Sequence, residues 1–183
     1  LPAITLIKQH CQVVNVDGGV DYRLRSLEQA ELYHSPLDAA ADASLNRSFE
    51  GIAGETGRIG EVLSIENRPI TTVKCAEGVA WFEFKALCDG PRGQADYIEI
   101  SRLFHTVLLS KLPQLDATTD DQARRFVSLV DEFYERHVKL ILSAAVSMDR
   151  LYTGVQLAFV FQRTLSRLQE MQSHDYLARE HLP

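Results

Sequence analysis

Two arginines near the end of the sequence have the type and spacing of an anion-binding pair. The stretch QRTLSRLQEMQS, residues 162–173, places Arg163 and Arg167 four positions apart, which is one turn of a helix. Like charges at that spacing repel by roughly a few tenths of a kcal/mol, so the two side chains should face either water or an anion such as a phosphate. Guanidinium forks suit the oxygens of phosphates and carboxylates. The pair therefore predicts either recognition of an anion or a charged helix face on which Arg167 pairs with Glu170.

The elements that must position these arginines follow the pattern of an α/β protein. The stretch DDQARRFVSLVDEFYERH is typical of an amphipathic helix, since its apolar residues share one face: Phe126, Leu129, Val130 and Phe133. The apolar runs HTVLLSKL before it and VKLILSAAV after it predict buried strands. A closing helix begins near Leu157. We therefore expect an α/β fold: a mixed sheet with parallel β-α-β units, a small antiparallel hairpin or meander, and a C-terminal helix.

The earlier part of the chain is predicted in three further segments. Residues 1–37 should contain an opening helix, a strand at 11–17 and a glycine turn, and residues 38–60 a helix followed by a glycine-rich connector. Residues 61–88 alternate in character and predict the antiparallel meander. We expect a turn at Asn67-Arg68-Pro69 and a last strand around Trp81–Leu87. Residues 89–183 then form the C-terminal α/β portion.

Two motifs resemble parts of a nucleotide site but lack its essential features. Glycines recur at every third position from 51 to 60, yet no lysine follows them and no strand precedes them, as a P-loop requires. The stretch VSLVDEFY has the outline of a strand ending in a metal-binding acidic pair. However, Asp131 and Glu132 fall on the polar side of the amphipathic helix, so we expect a solvated or salt-bridged surface there.

Composition excludes several classes of protein. The formal net charge of −6 and the pI near 5.5 argue against a chain that coats nucleic acid. The odd count of cysteines, Cys11, Cys75 and Cys88, favours free buried thiols in a reducing compartment, and their spacing predicts no metal site. No apolar window is long enough for an integral membrane segment, and the first residues do not read as a signal peptide. The predicted location is cytoplasmic.

Four blocks, in order, resemble the ZapE-type ATPases, which are AFG-like, AAA-related P-loop proteins of bacterial cell division. The blocks are GGVDYRLR at 18–25, WFEFKALCDGPRGQADYIEISRLFHTVLL at 81–109, ARRFVSLVDEFYERHVKLILSAA at 123–145, and FQRTLSRLQEMQSHDYLAR at 161–179. LPAI at the start is similar to the family sequence just past its sensor-1 strand. The resemblance makes residues 1–37 the end of the ATPase core and the whole chain a C-terminal portion of such a protein.

This resemblance implies a function for the intact protein rather than for the chain alone. The intact protein would use ATP and Mg²⁺, but the segments that hold them, Walker A and Walker B, are absent here, so we expect no catalytic residue and no hydrolysis from this chain by itself. The candidate nucleotide-binding residues are arginines: Arg163, Arg167, Arg124, Arg125 and Arg23. The implied partners are the tubulin-like division protein at the division site and further copies in a ring. The alternative is a non-enzymatic protein-binding module with no nucleotide role.

Overall fold

The computed structural model describes residues 22–183, so the predicted opening helix and the strand at 11–17 lie outside the described residues. The first half contains helices α1 (Tyr22–Gln29) and α2 (Ala39–Ala53) and strands β1 (Tyr33–His34), β2 (Arg58–Ile59), β3 (Val62–Ile65), β4 (Arg68–Thr71), β5 (Lys74–Ala76) and β6 (Val79–Glu83). The second half contains strands β7 (Thr106–Leu112) and β8 (Lys139–Ala144) and helices α3 (Phe84–Cys88), α4 (Gln94–Leu103), α5 (Asp120–Glu135), α6 (Ala158–Glu170) and α7 (His174–Leu177).

One mixed sheet organises the described residues. Its strand order is β1-β8-β7-β6-β5-β2. The pairs β1–β8, β8–β7 and β7–β6 are parallel, and the pairs β6–β5 and β5–β2 are antiparallel. The strands β3 and β4 form a separate hairpin. The mixed α/β fold expected from the sequence, with parallel units, an antiparallel hairpin and a C-terminal helix, is confirmed. The stretch predicted as one meander contributes to both sheets.

The central strands are buried on both faces. In β7, Val107 and Leu109 belong to one apolar cluster while Leu108 belongs to the other, because successive side chains of a strand point to opposite sides. Helices α3 to α6 cover the first face, and α1, α2 and α7 contribute to the cluster on the second face. The predicted helix at residues 120–137 is confirmed over Asp120–Glu135, and its apolar residues Phe126, Leu129, Val130 and Phe133 are buried.

Two local expectations are wrong in detail. The strand expected around Trp81–Leu87 ends at Glu83, and the chain continues as helix α3. Helix α3 buries Phe84, Leu87 and Cys88, whose spacing of three and four residues is that of a helix rather than a strand. The turn expected at Asn67-Arg68-Pro69 lies earlier, since residues 66 and 67 have φ of 49° and 59° while residues 68 and 69 already belong to β4.

A buried carboxylate attaches the β3–β4 hairpin to helix α4. Asp96 is buried and accepts two hydrogen bonds from Arg68 Nη2, at 2.7 and 2.6 Å, and one from Arg92 Nη1 at 3.1 Å. It also accepts from the backbone N–H of Gly93 at 2.9 Å, which caps the start of α4. Arg92 Nη2 in turn donates to the carbonyl of Pro69 at 2.6 Å. The carboxylate therefore has several charged and neutral donors, as a buried charge requires.

We predict that Asp96→Asn will destabilise the protein strongly, because Arg68 and Arg92 would lose the buried negative charge with which both of them pair. The free energy of unfolding, measured by urea denaturation, should fall by about 3 kcal/mol. Asp89→Asn is the matched control, since Asp89 is exposed, and its effect should stay within about 0.5 kcal/mol. Equal effects of the two substitutions would contradict the structural role of Asp96.

Candidate functional site

The two arginines of the closing helix meet two carboxylates on helix α5. Arg163 Nη2 lies 2.8 Å from Asp131 Oδ2, and Arg167 contacts the other oxygen of the same carboxylate through Nη1. Arg167 Nη2 also lies 3.0 Å from Glu135 Oε1. We call these four residues the arginine–carboxylate cluster. The shared carboxylate of Asp131 offsets the repulsion between two like charges on one helix turn.

The packing of α5 against α6 brings these groups together. Phe126 of α5 and Phe161 of α6 stack with ring centroids 6.2 Å apart, and both rings are buried. Each helix presents its charged residues at the edge of this apolar contact. On α5 the carboxylates of Asp131 and Glu135 lie one helix turn apart, and on α6 so do the guanidinium groups of Arg163 and Arg167. The two pairs can therefore face each other.

The two arginines have different surroundings. The Arg167 side chain is 21% exposed, and its guanidinium lies 4.8 Å from the centre of the Tyr134 ring. The Arg163 side chain is 56% exposed. An exposed ion pair is screened by water and contributes little, whereas a partly buried pair with a stacked ring contributes more. Arg167 is therefore the better anchored of the two, and Arg163 the more accessible.

The expected pair between Arg167 and Glu170 is wrong. Glu170 accepts a hydrogen bond from the Tyr134 hydroxyl at 2.7 Å and pairs with Arg179 Nη2 at 3.0 Å. The hydrogen bond from Tyr134 and the positive charge of Arg179 lower the pKa of the Glu170 carboxyl. The sequence prediction used the nearest acid along α6. It missed Asp131 as a partner, although Asp131 and Glu135 have the same four-residue spacing as Arg163 and Arg167.

The other candidate arginines do not join this cluster. Arg125 is half-buried and donates from Nη1 to the carbonyl of Cys88 at 3.4 Å, and Arg124 is exposed two helix turns before Asp131. Arg23 lies on α1, a helix that packs on the other face of the sheet, where it lines a separate cleft. The structure therefore brings together Arg163 and Arg167 of the five candidates and separates them from the rest.

The acidic motif of α5 has the role expected from periodicity. Asp131 pairs with the arginines of α6, and Glu132 accepts a hydrogen bond from Gln94 Nε2 at 2.6 Å. The glycine-rich connector also has a local structural explanation, because Gly54 ends helix α2 with a φ of 72° and strand β2 follows within the same segment.

Metal ligands, cysteine thiols and apolar helices are further features of residues 22–183 that bear on function. Within residues 22–183 no three side chains of histidine, cysteine, aspartate or glutamate converge as a metal site would require. Cys75 and Cys88 are free and buried, and burial raises the pKa of the Cys75 thiol to about 11. In the same range no helix is long and apolar enough to cross a membrane.

Comparison with known proteins identifies the family. Residues 1–180 match the family model of the AFG1-like ATPases. The chain is 51% identical over 182 residues to the cell division protein ZapE of Escherichia coli, covering 100% of this chain and 48% of that protein. It is also 31% identical over 211 residues to the lactation elevated protein 1 homolog B of Danio rerio, covering 96% of this chain and 42% of that protein. No solved structure gives a significant match.

This chain therefore belongs to the AFG1-like ATPase family. It spans about half the length of the curated relatives that it matches. The resemblance inferred from the four sequence blocks is confirmed.

We predict that the two arginines will differ in how strongly they couple to Asp131. A double-mutant cycle with alanine substitutions should give a coupling free energy of about 1 kcal/mol for Arg167 with Asp131 and about 0.3 kcal/mol for Arg163 with Asp131, because the first pair is less exposed. Chemical denaturation of the unchanged protein and the three variants of each cycle measures these energies. A larger coupling for Arg163 would reverse the assignment of anchor and accessible arginine.

Proposed function

We propose that this chain is the C-terminal part of a cytoplasmic ATPase that acts in bacterial cell division, at the division site. Two findings support the proposal: the AFG1-like ATPase family match over residues 1–180 and the 51% identity to a cell division protein. In the intact protein, ATP and Mg²⁺ would be held by Walker segments that precede this chain. This chain would complete the nucleotide site and contribute to partner binding.

The observation that carries a nucleotide role is the accessible guanidinium of Arg163 beside an anchored Arg167. Phosphoryl transfer depends on positioning and on neutralising the charge of the phosphates, and an arginine from a neighbouring element can supply that charge. The arginine forks fit the phosphates of a nucleotide. Within residues 22–183 no three metal ligands converge. Arg124, Arg125 and Arg23 remain weaker candidates for nucleotide contact.

A ring of subunits would give the accessible arginine a place to act. Phe159 lies one helix turn before Arg163 on α6 and is 87% exposed, and Val155, just before that helix, is 86% exposed. Large exposed apolar side chains next to an arginine are typical anchors of a protein interface. We propose that this surface meets a neighbouring copy of the chain, which would bring Arg163 towards the nucleotide of that copy.

The same surface favours the alternative function. If this part of the protein has no nucleotide role, it is a non-enzymatic module that binds another protein through the exposed residues around Phe159. The proposed partner in either case is the tubulin-like division protein. The two functions differ in whether the arginines affect ATP turnover and in whether partner binding depends on nucleotide.

We predict that Arg163→Ala in the full-length protein will lower kcat for ATP hydrolysis by about a hundredfold or more, because a charge that contacts the transferred phosphate would be lost. Arg167→Ala should reduce stability more than Arg163→Ala does. Arg47→Ala is the control, since Arg47 is exposed on helix α2, and it should leave kcat unchanged. Unchanged turnover in both arginine variants would remove them from the nucleotide site.

We also predict that the full-length protein will sediment with polymers of the tubulin-like division protein in a nucleotide-dependent manner, with more protein bound in ATP than in ADP. An ATPase that modulates the polymer must couple its nucleotide state to partner affinity. Sedimentation with a non-hydrolysable ATP analogue separates binding from turnover. Equal binding in ATP, ADP and no nucleotide would favour the non-enzymatic module.

A further inference from the structure

The loop that leads into helix α6 presents the two most exposed large apolar side chains among residues 22–183. Val155 lies at the end of this loop and is 86% exposed, and Phe159 lies in the first turn of α6 and is 87% exposed. An exposed side chain anchors an interface well only if its backbone is already held in place, because ordering a loop on binding costs free energy. The contacts that hold this loop therefore determine how well it can bind.

The hydroxyl of Tyr152 holds the loop at its junctions with two helices. It donates to Asp120 Oδ1 at 2.6 Å and accepts from the backbone N–H of Leu157 at 3.2 Å. Asp120 is the first residue of α5, and Leu157 directly precedes α6 and supplies no side-chain cap to it. One hydroxyl therefore joins the starts of the two helices and satisfies a backbone donor that α6 leaves unpaired.

The ring of Tyr152 connects the same loop to the core. It stacks on Phe161 with ring centroids 5.0 Å apart, and Phe161 in turn stacks on Phe126 at 6.2 Å. The backbone is held as well, since the N–H of Thr153 donates to the carbonyl of Leu115 at 2.9 Å. The segment just before the exposed residues is therefore fixed by side-chain and backbone contacts together.

The residue at position 154 fits this arrangement. A Cβ atom at Gly154 would lie 2.3 Å from Tyr152 Oη and 2.4 Å from Tyr152 Cζ, well below the distance that such atoms can approach. The position of the tyrosine ring, and not a left-handed backbone, therefore requires glycine here. Tyr152 and Gly154 form a close-packed corner directly before Val155.

A second exposed apolar surface lies at the edge strand β2. Ile59 is 80% exposed and Val62 is 60% exposed, and Ile59 lines a cavity of about 420 Å³ together with Val73 and Ala86. We call this the β2 edge surface. When identical copies form a ring, one surface of each copy contacts a different surface of the next copy. Two separate apolar surfaces on one chain are what such a head-to-tail contact needs.

We propose that Tyr152 is a positioning residue that presents Val155 and Phe159 to the β2 edge surface of a second copy of the chain. This inference rests on the contact between copies that is part of the proposed function. By holding the loop in one conformation, Tyr152 reduces the entropy lost when Phe159 becomes buried. The contact is stabilised because apolar area on both copies is removed from water.

The test measures self-association of the full-length protein by analytical ultracentrifugation with a non-hydrolysable ATP analogue. Phe159→Ser and Ile59→Ser should each weaken association about tenfold or more, because each change removes an apolar anchor from one of the two surfaces. A mixture of the two variants should form heterodimers, since each supplies the surface that the other lacks. A mixture that associates no better than either variant alone would overturn the head-to-tail contact.

Tyr152→Phe keeps the stacked ring and removes the hydroxyl, and it should weaken association about threefold. Added to Phe159→Ser, the same change should have little further effect, because Tyr152 acts through the residues that it presents. Tyr97→Phe is the matched control. It removes a buried hydroxyl that donates to the Leu87 carbonyl at 2.8 Å, so it should lower the urea midpoint and leave association unchanged. Additive losses, or an equal loss of association in the control, would overturn the positioning role.

The nucleotide role and this inference have separate readouts. ATP turnover that is unchanged in Arg163→Ala would remove that arginine from the nucleotide site and leave the association results as they are. A full-length protein that stays monomeric at every concentration tested would overturn the present inference, whatever its rate of ATP hydrolysis.

Discussion

Burial of the central parallel strands on both faces is the constraint on which the rest of the structure depends. Strands β7 and β8 expose almost nothing, so each face must be covered by helices, and alternate residues must serve opposite clusters. Helices α5 and α6 are held together on one face because their aromatic rings complete that cluster. The arginines and carboxylates of α5 and α6 lie at the edge of these layers, whereas the buried charges of Asp96 and Lys139 are held by hydrogen bonds.

The basic residues Arg163, Arg167 and Lys139 differ in the kind of partner that they contact. Arg163 and Arg167 meet Asp131 and Glu135, so their charges are largely offset within the fold. Lys139 meets neutral carbonyls, and burial acts against its charged form. The two arginines therefore connect α6 to α5 through ion pairs, whereas Lys139 connects the start of β8 to the segment after α7 through backbone carbonyls.

The sequence predicted those features that depend on local spacing. The apolar face of α5 and the continuous apolar run of β8 identified a helix and a buried strand, because each pattern has one stable way of burying its residues. The end of β6 at Glu83 was not predictable in the same way, since the short apolar run through Leu87 fits a strand or a helix. The pairing of Arg163 with Asp131 spans 32 positions, and the contact of Asp96 with Arg68 spans 28. Such contacts require the packing of elements that local pattern does not specify.

The carboxylate beside Arg163 is compatible with a role in phosphate recognition. An exposed ion pair contributes about 1 kcal/mol or less, so exchange of Asp131 for a phosphate with several negative charges costs Arg163 little. Arg167 is different, because leaving its site would also break the stack on Tyr134 and the contact with Glu135. In the proposed nucleotide role, the anchored Arg167 would keep the carboxylate in place while Arg163 exchanged partners. Two arginines on one helix turn can therefore have separate roles, one structural and one available to an anion.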